Sequence, residues 1–370
     1  MIGYYAHSHG SGHCNCANLF SKVFGNSLTI FTDRRYDFDK ENQVILLENE
    51  DTDGNEFDRN AFPEPRALHY APVNLGKITR RNLSILENIV KKQISVLIID
   101  VSVEVAMLAR ISSIPYAYVR LQGNRDDLPH LNAYEGASFL LAYYPKEMEC
   151  RDTPTWIVDK TVYLGFLSRY TFNDTCSERP EEYGVKIRPV LLYLTGFGGS
   201  QVPNFSELYK KYDMYAIGPQ RISNNAYNFE NLGVVGNTRP YLEHADIIVA
   251  ACGANTTAEI LSIEKKFIAV PEKRQYGEQQ RMAENLERNG WAVDLSQQED
   301  LISAISTLSK LKHRLLPTVS KNELIAFKLK FEFLNYDVER FVSKGNHSHE
   351  TLISSATMKR ELQINEPISV

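Results

Sequence analysis

Cysteine is scarce in this chain and does not pair off. Five occur in 370 residues, Cys14, Cys16, Cys150, Cys176 and Cys252, odd in number and scattered. That excludes the dense, even framework of a small secreted disulfide scaffold and suits free thiols in a reducing cytoplasm. A positive excess is also missing: 41 Lys and Arg face 46 Asp and Glu, for a net charge of -5, which argues against a dedicated nucleic-acid binder. Long apolar runs are absent. The most apolar stretch, residues 94–111, is broken by Asp100, Glu104 and Arg110, so it cannot cross a bilayer as one hydrophobic helix. The opening MIGYYA has neither the basic nor the apolar region of a secretory signal, and a cytoplasmic location is expected. There is no fixed-period repeat and no low-complexity tract.

What the chain does have is a soluble globular composition, 43% apolar and 24% charged, and length enough for two domains. Short β-branched and apolar runs alternate with segments of helical period, the pattern of a parallel sheet with crossover helices. The first half predicts strands at residues 2–6, 28–31, 44–47, 96–100 and 117–119, with helices near 16–23, 78–91 and 103–111. The pattern restarts at PVLLYLTGFGGSQ, residues 189–201, a strand running into a glycine loop, followed by the amphipathic FSELYKKY and the strand-like runs DMYAI, NLGVV, ADIIVAACG and KFIAV. Between the halves, residues 168–186 are polar and rich in turn formers and read as a linker. The expected fold class is therefore α/β: a Rossmann-like domain at 1–167, a second at 187–320 facing it across a cleft, a C-terminal helix at 321–343 and a polar tail at 344–370.

The first strand runs straight into HSHGSGHCNC, residues 7–16, with three histidines and two cysteines in ten positions. A metal site is one reading. However, the His-x-His-x-Asp-His pattern of metallohydrolases finds Ser11 and Gly12 at its last two places. Cys14 and Cys16 are also closer together than zinc-binding pairs usually are. The other reading is a glycine loop. After a strand, Gly10-Ser-Gly12 lets backbone approach a ligand, and the helix that follows offers unpaired N–H groups. His13 opens that helix and Asp100 ends a later strand, in a fold that collects ligands at the carboxyl ends of its strands. A histidine oriented by a carboxylate can take the proton of a hydroxyl. The plain alternative has His13 packing and Asp100 serving as N-cap of the next helix.

Residues 245–295, ADIIVAACGANTTAEILSIEKKFIAVPEKRQYGEQQRMAENLERNGWAVDL, resemble the donor-binding region of GT-B glycosyltransferases, among them the peptidoglycan UDP-N-acetylglucosamine transferase and the UDP-glucuronosyl and macrolide transferases. With Gly12-His13, Asp100 and the glycine loop, the likeness reaches over most of residues 1–320. It implies that Gly253, Ala254, Asn255 and Thr256 open a helix that holds a diphosphate, and that Glu259 binds ribose hydroxyls. It implies that Glu278, Gln279 and Gln280 bind the donor sugar and that Gly198, Gly199, Ser200 and Gln201 lie over diphosphate and sugar. His13 matches the family's base and Asp100 the acid that orients it. Two departures stand out: Ala251 replaces a His or Arg that helps neutralise diphosphate, and Ala283-Glu284 replaces Asn-Ala. Arg221 or Arg239 would then assist the backbone.

The resemblance implies an inverting, metal-independent transfer from a nucleotide diphosphate sugar, a UDP-sugar in the first instance, with no further cofactor. The acceptor would be the hydroxyl of a small molecule, glycan or glycolipid. Arg120, Arg125 and His130 would meet an anionic acceptor or form a salt-bridge network. Lys310-Leu-Lys-His-Arg314 would touch anionic headgroups at a membrane surface or be a solvated helix face. Two other readings use the same pocket: a nucleotide-sugar hydrolase, and a binding subunit without chemistry.

Overall fold

The computed structural model describes residues 1–7, 12–39, 41–50, 63–172, 177–184, 187–196, 202–223, 228–312, 323–325 and 327–328. Gly198, Gly199, Ser200, Gln201 and Cys176 lie outside these, as do the tail and nearly all of the expected helix at 321–343.

The first part of the chain forms β1 (Ile2–Ala6), α1 (Gly12–Phe24), β2 (Leu28–Thr32), β3 (Gln43–Leu46), α2 (Gly76–Lys91), β4 (Val96–Asp100), α3 (Val103–Ile111), β5 (Tyr116–Arg120), α4 (Leu128–Gly136), β6 (Phe139–Ala142), α5 (Thr155–Lys160) and β7 (Thr161–Tyr163). The seven strands make one parallel sheet in the order β3-β2-β1-β4-β5-β6-β7. The second part supplies β8 (Val190–Leu194), β9 (Asp213–Ile217), β10 (Phe229–Gly233), α6 (Arg239–His244), β11 (Ile247–Ala250), α7 (Ala254–Ser262), β12 (Phe267–Ala269), α8 (Glu278–Asn289), β13 (Ala292–Asp294) and α9 (Leu301–Lys310). Its six strands are also parallel, in the order β10-β9-β8-β11-β12-β13.

Central strands covered on both faces must be apolar throughout rather than alternating, and β1, β2, β4 and β5 are buried at every position. Successive side chains go to opposite faces. Tyr4 and Ile98 join Phe20 and Phe24 of α1 in one core, while Tyr5 and Ile99 join Ile85 and Ile89 of α2 in another. In each sheet the strand order reverses once: between β1 and β4 in the first, between β8 and β11 in the second. Ligands of open parallel sheets bind outside the strand ends at such reversals, so both sheets present their binding ends through the segments that follow β1, β4, β8 and β11.

The domains share a core rather than meeting through solvent. Ala142, Tyr144, Met148 and Phe166 pack in one cluster with Leu286, Trp291 and Ala292 of the second domain. Asn285 on α8 donates from Nδ2 to Met148 O (2.8 Å) and Gln122 Oε1 (2.9 Å), and Arg288 donates to Glu147 O and Glu149 O (both 2.9 Å). The polar segment expected as linker is partly structural, because Tyr170 and Tyr183 bury in that same cluster. Beyond α9 the chain returns to the first domain. Leu324 and Phe327 enter its core beside Phe20, and Lys328 Nζ bonds Val23 O at 3.1 Å.

Two local expectations need correcting. FSELYKKY is not a regular helix: Leu208 N bonds Phe205 O and Lys211 N bonds Leu208 O, three residues apart, so the segment is a run of tight turns that buries Phe205 and Leu208. So short a segment gains too few hydrogen bonds to offset helix nucleation. Strand NLGVV lies two residues earlier, as β10 (Phe229–Gly233). Sequence patterning also missed β6, β7 and β13, of four, three and three residues, too short for periodicity to register.

Candidate active site at the cleft

His13 occupies the second position of α1, the helix that follows β1 after a short loop, and Asp100 is the last residue of β4, the strand paired with β1. The reversal between these strands brings the two together: His13 Nδ1 stands 2.9 Å from Asp100 Oδ1, with the imidazole 16% and the carboxylate 1% exposed. The other carboxylate oxygen accepts from Tyr4 OH at 3.0 Å, and Tyr143 OH lies 2.9 Å from Tyr4 OH. A buried carboxylate costs free energy unless it is paired and hydrogen-bonded, and here it has both an imidazole and a phenol. Burial works against a charged imidazole, but the Asp100 carboxylate, by charge and by hydrogen bond, more than offsets it, so the His13 pKa is raised above 6.5. The N-cap of α3 is Ser102, whose side chain accepts from Val105 N at 3.2 Å. Asp100 is therefore not a helix cap, and the plain alternative for it falls.

Directly across the cleft is the start of α7. Its N-cap Gly253 has no side chain to cap with, and the first-turn N–H groups of Ala254, Asn255 and Thr256 stand at the positive end of the helix dipole. The amino ends of α1 and α7 face each other closely enough that a Cβ on Gly12 would stand 2.1 Å from Asn255 Nδ2.

The two expected donor carboxylates are each held by an arginine from the other side of the interface. Glu259 pairs with Arg169 (2.9 Å) from the interdomain segment and with Thr238 Oγ1 (3.2 Å). Burial raises its pKa, which Arg169 and Thr238 only partly offset. Glu278 accepts from Arg125 at 3.0 Å. Gln279 is 4% exposed and spends its amide inside the second domain, Oε1 accepting from Glu272 N (3.0 Å) and Nε2 reaching Glu272 Oε2 (3.4 Å). Gln280 Nε2 bonds Glu272 O at 3.2 Å, and its Oε1 is buried without a partner among the described residues. Of the assisting arginines, Arg239 is tied to Glu243 (2.6 Å) and lies over Tyr170, while Arg221 is exposed. Arg120 is buried in a bridge to Glu149 (2.9 Å) and Thr161 and so has a structural role.

The cysteines of residues 7–16 do not point to a metal. Cys14 and Cys16 are buried in the α1 core, and burial raises both thiols above 9.0, well above for Cys16. His7 Nε2 lies 3.4 Å from Glu50 Oε1.

Arg125 and His130, named from the sequence, sit in a cluster with His69 and Asp127, which sequence reasoning missed. The metal-capable atoms of His69, Asp127 and His130 lie within 4.8 Å of one another, but each is engaged: Asp127 Oδ1 takes His130 Nδ1 (2.7 Å) and His69 Nε2 (3.3 Å), and Arg125 Nη1 faces His130 Nε2 at 3.2 Å. Burial and Arg125 push the His130 pKa down to about 4, so it is a neutral partner in this network. Tyr276 of the second domain completes the cluster, its OH 3.2 Å from His69 Nε2, with φ +60° and ψ 12°. A non-glycine residue in that left-handed region costs on the order of 1–2 kcal/mol. The only sequence signal for Tyr276 was its place two residues before Glu278; His69 had none.

This architecture is that of the GT-B class, two parallel-sheet domains with a cleft between their strand ends. Solved structures of that class superpose on it: SnogD of Streptomyces nogalater at TM-score 0.57 and 11% identity, covering 90% of this chain and 99% of that one, and MurG of Acinetobacter baumannii at 0.52 and 12%, covering 88% and 93%. Within the class, residues 204–332 match the Glycosyltransferase family 28 C-terminal domain. Curated relatives named UDP-N-acetylglucosamine--N-acetylmuramyl-(pentapeptide) pyrophosphoryl-undecaprenol N-acetylglucosamine transferase match from Streptococcus pneumoniae. The strain JJA protein is 32% identical over 152 residues, 38% of this chain and 42% of its own length. The strain CGSP14 protein is 26% identical over 247 residues, 62% and 65%. The match thus spans about two fifths of the length of the first of these relatives. The chain has the GT-B fold and resembles the peptidoglycan N-acetylglucosamine transferases, most clearly through its second domain.

Proposed function

We propose that this protein is a glycosyltransferase that moves a sugar from a nucleotide diphosphate sugar, a UDP-sugar in the first instance, to an acceptor hydroxyl, with inversion and without a metal. The observation that carries this reading is the His13–Asp100 pair at the amino end of α1, set against the open amino end of α7. With Nδ1 bound to the carboxylate, the imidazole keeps its other nitrogen, Nε2, as the basic one. In the transfer, the acceptor oxygen bonds to the anomeric carbon as the bond from that carbon to the diphosphate oxygen breaks. The acceptor proton goes to His13 Nε2, and the bonding electron pair leaves on the diphosphate. One displacement inverts the centre. Asp100 stabilises the imidazolium that forms, and the N–H groups at residues 254–256 meet the growing negative charge.

Metal independence is supported by the carboxylates of the second domain, since Glu259 and Glu278 are each committed to an arginine. Glu259, Glu278 and Gln280 are the groups for ribose and sugar hydroxyls, and Gln279 shapes the loop that carries them. The acceptor is a small molecule, glycan or glycolipid entering by the first domain. The protein works in the cytoplasm, with or without contact to a membrane surface. Among the described residues no helix is long and apolar enough to cross a bilayer.

Thermal unfolding with UDP-N-acetylglucosamine, UDP-glucose, dTDP-glucose and GDP-mannose, each with and without EDTA, tests the reading. A ligand at about 100 times its Kd stabilises by about 2.7 kcal/mol. Stabilisation by one of the four that EDTA leaves unchanged supports it, whereas no response to any nucleotide, together with loss of stability in EDTA, sinks it. Donor turnover without an acceptor would replace transfer by hydrolysis.

A further inference from the structure

One short loop of the second domain, residues 273–277, just ahead of Glu278, meets the first domain through Tyr276. Tyr276 O accepts from Asn124 N of the first domain at 2.7 Å. Gly123, at φ +114°, sits so close beneath that a Cβ there would be 2.8 Å from Tyr276 O and 3.2 Å from Glu278 Cα. The Tyr276 ring stands edge-on to His130, centroids 4.9 Å apart, with the Arg125 guanidinium 4.7 Å from its centroid. Its hydroxyl meets His69. A turn bond from Gly277 N to Arg274 O (3.2 Å) closes around the tyrosine, and its ring and carbonyl are held from outside by the first domain.

We propose that Tyr276 and Arg125 are positioning residues: by locking this loop onto the first domain they set the direction of the Glu278 carboxylate, and so decide how the sugar of a donor, as distinct from its nucleotide, is held. This rests on the sugar-transfer reading above.

Arg125 is the joint. Its planar fork holds Glu278 Oε2 with Nη2 while Nη1 faces His130 Nε2, and His130 is fixed in turn by Asp127, the N-cap of α4. The direction of the fork is therefore dictated by the first domain, and a carboxylate bound to it inherits that direction. The carboxylate that receives sugar hydroxyls in that reading is thus registered to the first domain by a chain of contacts, His130 to Arg125 to Glu278, that exists only when the domains are docked. The amino end of α7, where the diphosphate is held in that reading, contributes none of these contacts. Loss of the lock should therefore separate sugar from nucleotide.

The test is titration calorimetry on the full-length protein with UDP and with UDP-N-acetylglucosamine, or with the diphosphate and sugar nucleotide of whichever of the four compounds above stabilises most. Tyr276→Gly removes the ring but keeps the left-handed backbone at no steric cost; Tyr276→Phe keeps the ring. Tyr276→Gly and Arg125→Ala should weaken the sugar nucleotide about tenfold, or about 1.4 kcal/mol, and leave the bare diphosphate within about twofold. Tyr276→Phe and Arg125→Lys should recover part of the loss. In turnover assays the donor KM should rise more than kcat falls, the mark of lost ground-state binding. Parallel weakening of both ligands, or no change in either while the wild type binds both, overturns the proposal and leaves the transfer reading standing. A wild type that binds no nucleotide at all overturns both.

Discussion

His13 can act as a base only in its neutral form, and Asp100 makes that form harder to reach. Because the His13 pKa is raised above 6.5, kcat/KM should climb with pH through an inflection above that value. Asp100→Asn removes the largest raising influence but leaves the burial and the Glu278 charge, so the inflection should move down while the maximal rate also falls; a pH–rate profile measures both. An unmoved inflection would show that another group titrates. Stability runs the other way: the protonated pair adds stability that is fully present below 6.5 and is lost as pH rises through the folded value. His13→Ala should lower kcat by about 10² to 10⁴ with donor binding intact by calorimetry. Full activity in that variant would disqualify His13 as the base.

Between elements, the decisive geometry is the meeting of two helix ends. Gly12→Ala would place a methyl against the Asn255 amide, so that side chain must swing aside from the cleft and activity should fall. Gly12→Ala with Asn255→Ala should recover activity relative to the product of the single effects, a coupling of about 1 kcal/mol; strict additivity in a rate assay would mean the ends do not meet in the working enzyme. Much at this scale was legible in the sequence. The bounds of β1, β4 and α3 agree with the sequence to the residue, because buried parallel strands are continuous apolar runs and VEVAMLARI has a helical period; the cap of α3, Ser102 rather than Asp100, does not. His13 and Asp100 were legible because one opens the helix after the first strand and its glycine loop and the other ends a strand. The Arg169–Glu259 and Arg125–Glu278 pairs were not, as partners 90 and 153 residues apart leave no local pattern. Nor was the inward turn of Gln279, which looks like any surface glutamine until Glu272 is placed against it.

At the scale of the molecule, the domains are held by a buried polar joint as well as by shared core. Asn285 is 3% exposed and gives its amide to Met148 O and Gln122 Oε1. Asn285→Ala would strip these of a buried donor, at a cost of about 1–3 kcal/mol. Calorimetric scanning should show a lower midpoint and, if the joint is what couples the domains, two transitions where the wild type has one. A single transition at the wild-type temperature would assign the coupling to the apolar cluster around Trp291 instead.

The course of the chain adds something that contacts alone do not. It leaves the first lobe near Ser168, builds the second, and comes back to place Leu324 and Phe327 in the first. The lobes are therefore bound by two covalent crossings, like a bag closed with a double drawstring. A protease that nicks either crossing leaves the other continuous, and the lobes should stay together under native conditions after a single cut.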